Sequence, residues 1–165
     1  MAMVEMKVSQ LTVDPFTNMP LLILADADGR EALPIAIGPV EAAAIASELE
    51  KIPLERPTAH DLMKTLVKAC AAAVLRVEIR DVRGTTFYAA IVLSTAAGEQ
   101  AIDARPADAI ALALRAGAPI RVAQQVIERG RDVEAMPAMA IAARDETFRD
   151  LLESLPDEDF GKWKM

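Results

Sequence analysis

One cysteine, Cys70, stands in a chain of 165 residues. A lone cysteine excludes an intramolecular disulfide and any cysteine cluster that could hold zinc or an iron–sulfur centre. Such usage suits a reducing cytoplasm, where the chain is expected to work. A single histidine, His60, excludes every two-histidine metal motif. Aromatic side chains are few and scattered, four Phe, one Tyr and one Trp, so no stacking platform for single-stranded nucleic acid is evident. No apolar run approaches the roughly 20 residues that span a bilayer. The first residues also lack the basic start and cleavage site of a signal peptide, and no membrane association is expected. Basic residues are in deficit, 18 against 25 acidic, and the net charge of −7 argues against gripping nucleic acid mainly by phosphate neutralisation. Such an activity would need a local basic patch or a divalent cation between the two anions. Absent too are a G-x-S-x-G nucleophile segment, a P-loop and a G-x-G-x-x-G fingerprint.

Apolar residues are plentiful, 53% of the chain, enough for one domain that buries about 70% of its unfolded surface. Val4, Met6 and Val8 alternate with polar residues, and the alternation resumes at Leu11 after a one-residue slip. This predicts a half-buried strand with a bulge. The apolar runs 21–24 and 33–37 flank the Asp28-Gly29 turn and predict a hairpin, with Pro34 confining the second strand to an edge. Gly38-Pro39 opens a helix to about Lys51. Thr58-Ala59-His60-Asp61 has capping-box spacing and opens a second helix over about 58–72, with Leu62, Leu66, Ala69, Cys70 and Ala73 expected on its buried face. From Leu75 the period becomes two, predicting three strands to about Ala104. Pro106 starts a third helix that Gly117 closes, followed by a short strand at 120–122 and a further helical turn at 124–129. The two alanine-dense helices, around 40–47 and 107–114, are expected to be largely buried.

The order is an α+β plan: a mixed or antiparallel sheet of hairpins packed against a few alanine-rich helices. Residues 1–128 form the domain, and 129–138 read as a linker with Gly130 and Pro137 as breakers. Residues 139–165 read as an amphipathic helix, with Phe148, Leu151, Leu152 and Leu155 on its apolar stripe, and an acidic tail.

Three segments place titratable side chains at helix starts, where free amides and the dipole favour phosphate or carboxylate. They are Gly38-Pro39-Val40-Glu41, Arg56-Pro57-Thr58-Ala59-His60-Asp61 and Asp103-Ala104-Arg105-Pro106-Ala107-Asp108. If the three starts converge, Glu41, Asp61, Asp103 and Asp108 supply carboxylates that orient water. Asp61, Asp103 and Asp108 are also the candidate ligands of a magnesium or manganese ion. His60 is then an acid or base, and Arg56 and Arg105 contact phosphate. Capping and ion pairing account for the same residues without any chemistry. Cys70, on the face expected to be buried, reads as an inert thiol.

At these residues the sequence resembles the bifunctional nuclease domain family. The resemblance is carried by Leu33-Pro34-Ile35-Ala36-Ile37-Gly38 with Glu41-Ala42, by Arg56-Pro57-Thr58-Ala59-His60-Asp61-Leu62, and by Phe87-Tyr88-Ala89. Asp103-Ala104-Arg105-Pro106-Ala107-Asp108-Ala109-Ile110-Ala111-Leu112-Ala113 and Ala118-Pro119-Ile120 complete it, in this order over about residues 4–128. Ala107 departs from the family pattern, which more usually has serine. The resemblance implies an α+β domain, a homodimer, and hydrolysis of both DNA and RNA; no organic cofactor is expected. A dimeric binding or regulatory module whose charged helix starts are caps is the alternative, and a small-molecule phosphatase is a third.

Overall fold

A computed structural model describes residues 2–133. Seven strands form one mixed sheet in the order β3-β2-β1-β7-β4-β5-β6. The strands are β1 (Met3–Val13), β2 (Pro20–Ala25), β3 (Ala32–Ala36), β4 (Ala73–Arg83), β5 (Thr86–Thr95), β6 (Gly98–Ala104) and β7 (Ile120–Ala123). Four helices join them: α1 (Pro39–Leu49), α2 (Ala59–Ala69), α3 (Pro106–Ala116) and α4 (Gln124–Val133). All neighbours are antiparallel except β4 and β7. The expected slip in β1 is a register shift between Val8 and Gln10, and Pro34 lies in the edge strand β3, opposite Ile23.

The register explains where the core sits. Met6, Ile120, Val77, Ile91 and Ile102 face one another across β1, β7, β4, β5 and β6. The first four are buried, whereas Ile102, at the sheet edge, is 45% exposed. This row shares a core with α3, which crosses β4 and β5, and with α1, which packs beside α3. Ala42, Ala43 and Ala46 of α1 and Ala109, Ala111 and Ala113 of α3 are buried, as their alanine density predicts, because small side chains let the two helices approach each other closely. Gly117, in the left-handed region at φ 64, closes α3.

Three expectations are overturned. The apolar face of α2 points outward: His60 is its only buried residue, Leu62 and Leu66 are about half exposed, and Ala69, Cys70 and Ala73 are exposed. Periodicity shows that a helix has an apolar face, not which way that face turns. Cys70 is accordingly an exposed thiol. Gly130 does not break a helix but lies inside α4, which continues to Val133 through the start of the expected linker. A Cβ at Gly130 would collide with the buried Leu33 side chain, so the glycine serves close approach between α4 and β3. The expected C-terminal helix lies outside the described residues.

Candidate active site at three helix starts

Glu41, His60 and Asp108 each sit in the first turn of their helix, on α1, α2 and α3, and Arg105 is the residue from which α3 springs. The packing of α3 against both other helices brings these starts together. His60 Nε2 lies 3.0 Å from Asp108 Oδ1, and the other oxygen, Asp108 Oδ2, accepts from Arg105 Nε at 2.8 Å. Arg105 also donates through Nη2 to Glu41 Oε1 at 2.7 Å. Imidazole, carboxylate, guanidinium and carboxylate thus form one chain across three helices. The Glu41 carboxylate folds back over Gly38, where a Cβ would strike Oε2, which accounts for the glycine before Pro39.

Arg105 is the one exposed member of this chain. The His60 side chain is 8% exposed and that of Arg105 70%. Burial pushes the Asp108 carboxyl up, but hydrogen bonds from His60 and Arg105 and the charges behind them outweigh it and hold the group below the usual carboxylate range. Asp108 is therefore an ionised acceptor at neutral pH, so His60 Nε2 carries the proton it shares. In the neutral ring Nδ1 is then the basic nitrogen, and it has no partner among the described residues. Arg105 Nη1 is likewise unengaged among them and faces solvent.

Asp61 belongs to a second group. Its Oδ2 accepts from the Thr58 amide at 2.9 Å and the Thr58 hydroxyl at 2.8 Å, and its Oδ1 accepts from Arg115 Nε at 2.8 Å. Burial again raises its pKa, and these hydrogen bonds together with the Arg115 charge bring it below the ordinary range. Arg56 lines an open hollow of about 430 Å³ with Asp61, Thr65 and Arg115 and makes no ion pair among the described residues. Arg115 is a residue that the sequence reading missed. Its side chain is 3% exposed, and Nη1 and Nη2 donate to the carbonyls of Ala111 and Ala44, each at 3.0 Å. The available signal is its place seven residues after Asp108, on the same face of a helix otherwise built of Ala, Ile and Leu.

Asp103 does not join either group. It pairs with Ala90 in a row that runs Glu5, Arg121, Glu78, Ala90, Asp103, one residue out of phase with the core row, so its side chain points to the sheet face away from the helices. Among the described residues no three His, Cys, Asp or Glu side chains gather where they could hold a metal ion. Every oxygen of Asp61 and Asp108 is already engaged by an arginine, threonine or histidine donor. The donor set therefore does not fit a ready cation site.

The sequence model of the bifunctional nuclease domain matches residues 22–135, more than half the chain, and so spans all three helix starts. The chain belongs to the bifunctional nuclease domain family. A Mycobacterium tuberculosis protein, described as uncharacterized, is 36% identical to this bifunctional nuclease domain protein over 94% of the chain and 97% of its own length. The bifunctional nuclease 1 of Oryza sativa subsp. indica and the bifunctional nuclease of Oryza minuta are each 24% identical over 76% of the chain, which covers 40% of either plant protein. Among the described residues, no helix of this family member is long and apolar enough to cross a membrane.

Proposed function

We propose that the protein hydrolyses phosphodiester bonds of DNA and RNA, with little regard to base sequence, at the junction of the three helix starts. The observation that carries the reading is the use of Asp108: one oxygen orients His60, the other holds the exposed Arg105. A basic nitrogen and a phosphate-binding cation are thereby fixed on one carboxylate. DNA has no 2′-hydroxyl, so the nucleophile common to both substrates is water. His60 Nδ1 takes the proton of a water that attacks phosphorus. As the bond from phosphorus to the leaving sugar oxygen breaks, the imidazolium returns a proton to that oxygen. Arg105 neutralises charge growing on the non-bridging oxygens, and Glu41 keeps its guanidinium aimed. Arg105 touches only what every nucleotide shares, which supports weak sequence preference. Arg56 is the natural second phosphate contact.

The carboxylates of Asp61 and Asp108 are already engaged, so activating the water falls to His60. Dependence on magnesium or manganese is a separate arm of the test. Tag-free protein incubated with labelled single-stranded RNA and DNA, with each cation or with chelator, is expected to cleave both substrates. Asp108→Asn and His60→Gln are expected to lower the rate by about 100-fold or more. Equal cleavage by wild type and both variants would sink the site. A second reading, a dimeric binding module, is favoured by one observation: ion pairs and caps account for every oxygen of Asp61 and Asp108. Absence of any hydrolysis by folded wild type would favour it. Homodimerisation belongs to both readings, with the outward apolar face of α2 as the surface that a second copy covers.

A further inference from the structure

We propose that Arg115 is a positioning residue that fixes α2 over α3 and so sets His60 against Asp108. The inference rests on the reading of His60 and Asp108 as the reactive pair. Apolar burial holds α1 and α3, but it does not hold α2, which buries nothing except His60. Two consecutive residues fasten it instead: His60 grips the first turn of α3 through Asp108, and Asp61 grips the last turn through Arg115. Asp108 and Arg115 lie seven residues apart, about 10 Å along the helix. One such contact would leave α2 free to pivot. Two contacts separated along α3 fix both its place and its rotation. Arg115 suits the task because its own fork is immobile, one nitrogen on the carbonyl of Ala111 in α3 and another on that of Ala44 in α1. A planar guanidinium reaches three acceptors on three helices at once, and a lysine cannot.

The test uses Arg115→Met, Arg115→Lys and Asp61→Asn, the last removing the charge from the same link while sparing both carbonyl bonds, with Thr58→Ala as the control that weakens the α2 cap but keeps the link. With oligonucleotide substrate, kcat of the three test variants is expected to fall about 10- to 100-fold while KM changes less than about threefold, since the reacting groups are misplaced but present. In an Asp108→Asn background, Arg115→Lys is expected to cost less than about threefold more. A readout that needs no activity runs beside this one. His60 is the only histidine, so its ring signals in an NMR spectrum are unambiguous. In Asp61→Asn and the folded Arg115 variants they are expected to move toward their positions in Asp108→Asn, and amide exchange is expected to quicken over 59–69 but not in β4 or β5. Unchanged ring signals and α2 protection in Asp61→Asn overturn the proposal, as does a KM effect without a kcat effect, which would make Arg115 a substrate contact. If wild type cleaves nothing, the nuclease reading fails, and the spectra still decide whether Arg115 places His60.

Discussion

Asp61 and Asp108 hold more of this domain together than their size suggests, because each joins two helices through side-chain hydrogen bonds. In both, the folded state keeps the carboxyl below its ordinary range. On acidification the unfolded chain therefore takes up protons first. The stabilisation is complete above about pH 5, and it drains away as the pH falls through about 4 and on through the lower folded-state values. Urea unfolding at a series of pH values is expected to show a midpoint that falls on this acid limb. The limb should be shallower in Asp61→Asn, which has one such carboxyl fewer. An acid limb of equal steepness in both proteins would remove Asp61 from the account.

Helix ends and strand faces show how far a sequence reading reaches. Pro39, Pro106, Gly117 and the Thr58-to-Asp61 spacing marked real boundaries, since capping is a local matter that few residues decide. The face of α2 was not legible, because an apolar stripe does not record which way it turns. Asp103 was misplaced for a related reason: its phase in β6 follows from pairing with β5, which spacing to Arg105 does not reveal. Gly130 read as a breaker because its purpose, contact with Leu33, lies almost 100 residues away in the chain. The convergence of Glu41, His60, Arg105 and Asp108 was a conditional guess from helix starts, and Arg115 lay hidden in an apolar run. At the C-terminus of α2, Ala71 adopts φ 55, a left-handed conformation that costs an L side chain energy and glycine nothing. Ala71→Gly is expected to raise stability by about 1 kcal/mol, read as a higher denaturation midpoint with unchanged slope. A lower midpoint would contradict that backbone conformation.

At the scale of the whole domain, several apolar side chains and one sheet edge stand uncovered among the described residues. Leu62, Met63 and Leu66 project from α2, Ile102 ends the core row, and β6 leaves one edge of the sheet unpaired. A stable dimer needs about 800 Å² from each partner, and an outward apolar helix face is the natural place to find it. Light scattering at micromolar concentration is expected to give twice the chain mass of 17.7 kDa, and Leu66→Glu is expected to return it to the single-chain value. Wild type that stays at the single-chain mass would leave α2 to another partner.

β1 spends its first residues on β7 and its remainder on β2. Among the described residues it is the only strand joining the β3-β2 pair to the β7-β4-β5-β6 block, and without it one sheet becomes two. β1 must wait during synthesis for β7, the last strand among the described residues, since Met3 pairs with Ala123. Until then the newborn chain holds two unfinished half-sheets, each with an open edge that can recruit a stranger. The span that matches the family begins at residue 22, so the boundary drawn by likeness omits the seam that folding requires.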